Sequence, residues 1–86
     1  MTAHIPGALR SYTGQKSAVE VEGRILAEVL SELDRRYPGL RFRIITEQDT
    51  IRPHIRIFVN DEQTHDLTTM LQPDDHIQII CALSGG

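Results

Sequence analysis

The sequence predicts a two-layer α+β fold in which one main helix covers one face of a β-sheet. Only residues 24–37 carry apolar side chains at helical spacing over several turns, whereas several short segments alternate apolar and polar residues. One amphipathic helix can cover only one face of a sheet, so the other face stays uncovered. With 86 residues, the chain has room for a single domain.

The first two strands are expected to form a hairpin. Residues 3–6 predict a short strand, with Pro6 at an edge or bulge because proline cannot donate to a ladder. Residues 8–10 are expected to continue this strand, and residues 12–14 to turn the chain. Residues 17–22 alternate small or apolar with polar side chains and predict the second strand.

The main helix is predicted over residues 24–37. Gly23 is expected to be its N-cap, Pro38 to end it, and Gly39 to supply a positive φ where the turn needs one. A regular apolar stripe of this kind predicts a core-facing surface rather than a ligand site. Its members are Ile25, Leu26, Val29, Leu30, Leu33 and Tyr37.

The second half of the chain predicts further strands with irregular connections. Residues 40–45 are apolar enough for a packed helical turn or a short strand. The remaining elements are a strand at 55–59, a turn at 60–62, a short strand around 63–65, a helical turn at 67–71, a tight turn at 73–75 and a last strand at 77–82.

This element order is that of the ubiquitin-like β-grasp roll, a mixed sheet of four to five strands packed on one main helix. By analogy with that fold, the first and last strands would pair in parallel at the centre of the sheet.

Composition argues against several classes of protein. The net charge is −3 and there is no basic run, so a nucleic-acid partner is not expected. Cys81 is a single cysteine, and the first residues lack a signal-peptide pattern. No apolar stretch approaches the roughly 18 residues of a membrane helix. We therefore expect a cytoplasmic protein without a membrane partner.

The last four residues, Leu83-Ser84-Gly85-Gly86, follow directly on an apolar strand. A Gly-Gly end can thread a channel that any side chain would block, because glycine has no Cβ. Four extended residues span roughly 13 Å at about 3.3 Å each. The pattern predicts a domain of residues 1–82 and a flexible diglycine tail of residues 83–86 that carries a carboxylate into a partner's active site. A frayed terminus is the alternative.

Several short motifs, in order along nearly the whole chain, resemble the MoaD/ThiS family of bacterial sulfur carriers, and most closely its CysO-like branch. They are Ile5-Pro6, Leu9-Arg10, Thr13-Gly14, residues 19–23, residues 36–40, Val59-Asn60 and residues 82–86. The chain departs from the family pattern at residues 73–75, where Gly-Asp-x is usual. It also departs at Cys81 and Leu83, where Pro and Val are common.

The resemblance implies a carrier protein and not an enzyme. A ubiquitin-activating-like adenylyltransferase would use ATP and Mg²⁺ to adenylate Gly86, and a sulfur donor would convert the adenylate to a thiocarboxylate. A sulfur-acceptor synthase of the cysteine, molybdopterin or thiamine type would then receive the sulfur. ATP would bind the partner, because this chain has no Gly-x-x-x-x-Gly-Lys loop and no metal-ligand spacing.

Phe58 and Ile80 are predicted to point out of the uncovered sheet face, close to the tail. Clustered exposed apolar residues mark docking surfaces, and the family resemblance implies that this face, with Ala82, binds partners. A register slip of one residue would instead bury both side chains. Cys81 is more typical of an inert packing residue than of a relay thiol. The four histidines are interpreted as scattered surface residues near strand ends.

Two other functions fit the same terminus. The chain could be a ubiquitin-like protein modifier that is joined to lysines, or the small subunit of a molybdopterin-synthase-like complex. A Gly-Gly remnant on lysines of other proteins would indicate the modifier, and co-purification with a large subunit would indicate the synthase.

Overall fold

The computed structural model describes residues 1–82, and the predicted tail residues Leu83, Ser84, Gly85 and Gly86 lie outside the described residues. The described chain contains five strands, two α-helices and one 3₁₀ helix. In chain order these are β1 (Thr2–His4), the 3₁₀ helix (Gly7–Thr13), β2 (Ala18–Glu20), α1 (Leu26–Arg36), α2 (Leu40–Ile44), β3 (Ile55–Val59), β4 (Glu62–Thr64) and β5 (His76–Cys81).

The five strands form one mixed sheet in the order β2-β1-β5-β3-β4. β1 pairs antiparallel with β2 and parallel with β5, and β3 pairs antiparallel with both β5 and β4. The predicted hairpin and the predicted parallel pairing of the first and last strands are both confirmed. β5 therefore lies in the middle of the sheet, hydrogen-bonded on both sides.

The core lies between the sheet and the two helices, and it is almost wholly aliphatic. The apolar stripe of α1 faces the sheet as predicted, with Leu26, Val29, Leu30 and Leu33 buried. α2 contributes Leu40 and Ile44. The buried residues from the strands and the segments beside them are Ala3, Ile5, Val19, Val21, Ile45, Ile55, Ile57, Ile77 and Ile79.

α1 begins at Leu26 with Ile25 as its N-cap, so the prediction that Gly23 caps the helix is wrong. The free amides of the first turn donate instead to distant carbonyls: Leu26 to Thr69 (3.0 Å) and Ala27 to Leu67 (2.9 Å). Gly23 has a different role. A Cβ there would lie 2.9 Å from Cγ2 of Val29, so this position needs glycine for close packing on α1.

The prediction of a helical turn at residues 67–71 is also wrong, and the hydrogen bonds from the start of α1 explain why. Because two of its carbonyls accept from α1, this segment runs beside the helix start, with Met70 bridged to Ile25. Asp66 holds the turn at residues 66–69 by accepting from the hydroxyl and the amide of Thr68 (2.6 and 2.8 Å). These hydrogen bonds, the hydroxyl first, lower the pKa of the Asp66 carboxyl below its usual value.

Residues 8–10 form part of a 3₁₀ helix and do not continue β1 as predicted. The carbonyl of Pro6 accepts from the amide of Leu9 (2.9 Å), and Leu9 turns inward to become buried. Gly14 ends this helix with a φ of 64°. Proline has no amide to donate, so the ladder stops where Pro6 stands and the chain is free to coil.

Neither helix in the part of the chain that the structure describes has the length and apolarity needed to cross a membrane.

The turn between α1 and α2 depends on Gly39, which has a φ of 95°. Asp34 closes this turn by accepting from the amides of Gly39 (3.1 Å) and Arg41 (3.2 Å). A Cβ on Gly39 would also lie 3.3 Å from Cε1 of Tyr12.

Gly39→Ala should lower the free energy of unfolding by about 1–2 kcal/mol, because an L side chain is strained at this φ. The melting temperature should fall by roughly 5–15 °C for a domain of this size. The matched control is Gly7→Ala, since a Cβ on Gly7 would meet no heavy atom within 4 Å and this residue has no positive φ. Equal melting temperatures for the two variants would contradict the role of Gly39.

The entry into β5 is fixed by Asp75, which is only 8% exposed. Its carboxylate accepts from the side-chain amide of Asn60 (2.6 Å) and from the backbone amide of Gln72 (2.8 Å). Asn60 in turn accepts from the amide of His76 (2.9 Å). This network joins the β3–β4 turn to the start of the central strand.

Asp75→Ala should destabilise the fold by about 1–3 kcal/mol, because it leaves two donors without their acceptor. Chemical denaturation with and without the substitution measures the difference. Asp74→Ala, at the exposed neighbouring position, should change stability by no more than about 0.5 kcal/mol. A loss at Asp74 as large as that at Asp75 would show that the network is not the cause.

Candidate docking site at the end of the central strand

The end of β5 is held in a fixed direction up to the last described residue. Cys81 pairs with Ile55, and the amide of Ala82 donates to the carbonyl of His54 at 2.7 Å. His54 belongs to a turn that is closed by a hydrogen bond from the amide of Ile55 to the carbonyl of Arg52 (2.9 Å). The predicted tail starts one residue beyond this anchored point.

The sheet face turned away from α1 is called here the outer face. Side chains on adjacent strands share a face when their residues are paired, and the strand registers settle the membership. The outer face consists of Thr2 and His4 from β1, Ala18 and Glu20 from β2, Arg56 and Phe58 from β3, Gln63 from β4, and His76, Gln78 and Ile80 from β5.

Phe58 and Ile80 both lie on the outer face, as their alternation predicts. Phe58 pairs with Gln78 and Arg56 with Ile80, so Phe58 and Ile80 are diagonal neighbours across β3 and β5. Ile80 is 42% exposed and Phe58 is half-buried. Side chains of this size reach each other across a diagonal pair. They form an apolar patch near the end of β5: Ile80 lies two residues before Ala82, and Phe58 is paired with Gln78, two residues earlier. The register slip considered above does not occur.

Arg56 places a positive charge beside this apolar patch. It lies opposite Ile80, and its guanidinium donates to the carbonyl of Pro53 (2.7 Å) in the turn that anchors Ala82. Arg10 is similarly held, with Nε donating to the carbonyl of Ile5 (3.0 Å). The sequence alone does not show which carbonyls lie within reach of these two arginines.

Cys81 points to the other side of the sheet. It pairs with the buried Ile55, is half-buried, and packs against the core. Its place on the inner face agrees with its interpretation as a packing residue and separates its thiol from the outer face.

The structure corrects the interpretation of the histidines as scattered residues. His4 and His76, 72 residues apart in sequence, meet on the outer face with Nε2 of His4 3.1 Å from Nδ1 of His76. Their rings are stacked, with centroids 5.4 Å apart. His54 and His65 are exposed at other places, as expected. Only the register of β1 on β5 brings His4 and His76 together, so the sequence contains no local signal for their contact.

These features together make the outer face a candidate binding surface. An apolar pair, an oriented cation and a strand end of fixed direction can orient a partner protein relative to the chain that leaves Ala82.

The sequence and the fold were compared with those of known proteins. A family model described as the ThiS family matches residues 3–86. The chain is 32% identical over 91 aligned residues to the sulfur carrier protein CysO of Mycobacterium tuberculosis, an alignment that covers 100% of this chain and 98% of the relative.

The solved structures that match also span nearly the whole chain. A chain from the crystal structure of the Amycolatopsis orientalis BexX/CysO complex superposes with a TM-score of 0.91 at 30% identity, covering 99% of this chain and 98% of that one. The small archaeal modifier protein 1 of Methanosarcina acetivorans gives a TM-score of 0.83 at 26% identity, with coverages of 99% and 94%.

These neighbours are ubiquitin-like β-grasp proteins, which confirms the predicted fold class. The family match extends from β1 through the diglycine, and the match to the Mycobacterium tuberculosis sulfur carrier covers both chains almost completely. The chain therefore belongs to the ThiS family.

Proposed function

We propose that this protein is a sulfur carrier whose chemistry takes place at the carboxylate of Gly86. The observation that carries the proposal is the 32% identity to a CysO sulfur carrier along the full length of this chain. The anchored end of β5 supports it, because Ala82 is held by His54 at the point from which the last four residues continue.

The reaction requires activation, because a carboxylate would have to expel an oxide when a sulfur nucleophile attacks it. An oxygen of the Gly86 carboxylate attacks the α-phosphorus of ATP, pyrophosphate leaves, and an acyl-adenylate forms. Sulfide, supplied as such or released from a persulfide by a thiol, then attacks the carbonyl carbon and AMP leaves. The product is a thiocarboxylate. Mg²⁺ in the partner's nucleotide site would neutralise the phosphate charge during the first step.

This division of labour explains why the chain is a co-substrate and its partners are the catalysts. The last four residues, fully extended, would place the carboxylate roughly 13 Å beyond Ala82. We propose a ubiquitin-activating-like adenylyltransferase, a sulfur donor and a sulfur-acceptor synthase as the successive partners. Phe58, Ile80 and Ala82 would contact them. We propose that the cycle takes place in the cytoplasm, as expected from the sequence.

Carrier function is favoured over protein modification by the relative strength of the matches. The relative that is named a sulfur carrier is 32% identical over the whole chain, whereas the structural neighbour that is named a modifier is 26% identical. Transfer to a lysine would use the same acyl-adenylate, so the product and not the activation step distinguishes the two functions.

Deleting Gly86, or adding one alanine after it, should abolish adenylation by the host's adenylyltransferase. The deletion moves the carboxylate back by about 3.3 Å, and the addition would put a Cβ into the channel that we propose the diglycine enters. Release of pyrophosphate measures adenylation, and intact-protein mass spectrometry detects the exchange of one oxygen for sulfur.

Both variants should melt within about 2 °C of the wild type, since neither alters residues of the core. The proposal fails if the extended variant is adenylated at the wild-type rate. A wild-type chain that is recovered on lysines of other proteins, with no thiocarboxylate form, would favour the modifier instead.

Phe58→Ala and Ile80→Ala should each raise the KM of the adenylyltransferase for this chain about 5- to 30-fold. This corresponds to the roughly 1–2 kcal/mol that an apolar interface anchor contributes. The value of kcat should change little, because the patch contributes equally to binding of the ground state and of the transition state.

Met70→Ala is the matched control. Met70 is 77% exposed but bridges to Ile25 at the start of α1, away from the outer face. An unchanged KM in both outer-face variants would refute the docking role, and so would an equal rise in the Met70 variant.

A further inference from the structure

His4 and His76 form a stacked pair on the outer face beside the start of β5, and the proposed carrier function assigns this pair no role. They come from adjacent parallel strands, and Thr2 pairs with His76 while His4 pairs with Gln78, so the two histidines are diagonal neighbours. The 3.1 Å between Nε2 of His4 and Nδ1 of His76 is a hydrogen bond in which the rings share one proton.

The same distance suits two ligands of one metal ion. Two imidazole nitrogens bound to tetrahedral Zn²⁺, each at about 2.0–2.1 Å, lie about 3.3 Å from each other. A metal can therefore replace the shared proton when the nitrogens separate by a few tenths of an ångström and the rings rotate. That rotation is easy, because the χ2 torsion of histidine has a broad minimum.

The backbone beneath the pair is rigid. Ala3 and Ile77 lie next to the two histidines on the inner side of the sheet and are fully buried. Their strands are hydrogen-bonded neighbours, so little ordering is needed when a metal binds. Imidazole ligands favour zinc, copper and nickel over the oxygen-seeking Mg²⁺ and Ca²⁺.

We propose that His4 and His76 form a two-histidine chelating site for a divalent transition metal such as Zn²⁺. Among residues 1–82 there is no ready group of three His, Cys, Asp or Glu side chains, so the ion keeps open positions for water or other ligands. Glu20 is an acidic candidate to complete the site once its carboxylate leaves its present contacts with the hydroxyl of Thr2 (2.7 Å) and the N-terminal amine (3.9 Å). It lies in the same cross-strand row as His76, through Thr2, and its side chain is 78% exposed.

Zn²⁺ should bind untagged, metal-free protein with one equivalent per chain. Isothermal titration with ZnCl₂ gives the stoichiometry, and NMR should show the ring signals of His4 and His76 shifting together. When free Zn²⁺ reaches about ten times the dissociation constant, the melting temperature should rise by roughly 5–10 °C.

His4→Asn and His76→Asn should each abolish the titration heat and the rise in melting temperature. The matched controls are His54→Asn and His65→Asn, which remove exposed histidines elsewhere. Cys81→Ser tests for binding through the thiol. If His4→Asn lowers the stability of the metal-free fold, His76→Asn decides alone, since His76 is the more exposed of the two.

Three outcomes would overturn the proposal. The first is no binding up to about 1 mM free Zn²⁺, far above the concentration at which a specific chelate fills. The second is binding that persists in the His76 variant. The third is binding that is lost with Cys81 or with either control histidine. None of these results bears on adenylation of Gly86, so the carrier function is tested separately.

Discussion

The parallel pairing of β1 with β5 is the constraint on which the rest of the structure depends. Two strands can run in the same direction only if the chain between them crosses back over one face of the sheet, and α1 makes that crossing. The end of the chain is thereby brought to the middle of the sheet. Since β3 flanks β5 on its other side, the strand leading to the tail pairs with β1 as far as Gln78 and with β3 as far as Cys81, and Ala82 donates to His54 on the β3 side.

The interior of each element was predictable, whereas several element ends were not. The stripe of α1 and the alternation of β3 are set by the local periods of helix and strand, and both were confirmed. The start of α1 is set by the carbonyls of Leu67 and Thr69, which are distant in sequence and local only in the folded state. Gly23 shows the consequence, because a residue needed for packing against Val29 had the sequence position of a helix cap.

In the candidate site, too, the features set within one strand were predictable and those set by contacts between distant segments were not. The outward direction of Phe58 and Ile80 follows from the alternation of buried and exposed positions within their own strands. The pairing of His4 with His76 requires the register between strands from opposite ends of the chain, and no single segment contains that information. The carbonyls that hold Arg10 and Arg56 likewise come from the local path of a loop, which composition alone does not specify.

Packing on only one side of the sheet leaves the side chains of the outer face outside the core. The core needs aliphatic volume in the correct pattern, a requirement that many sequences satisfy, and a chain only 30% identical keeps the fold with a TM-score of 0.91. Residues of the outer face bear little of this packing, so they can change while the core and the direction of β5 stay the same. The same freedom allows a histidine pair to form there, because neither ring has to fit a core.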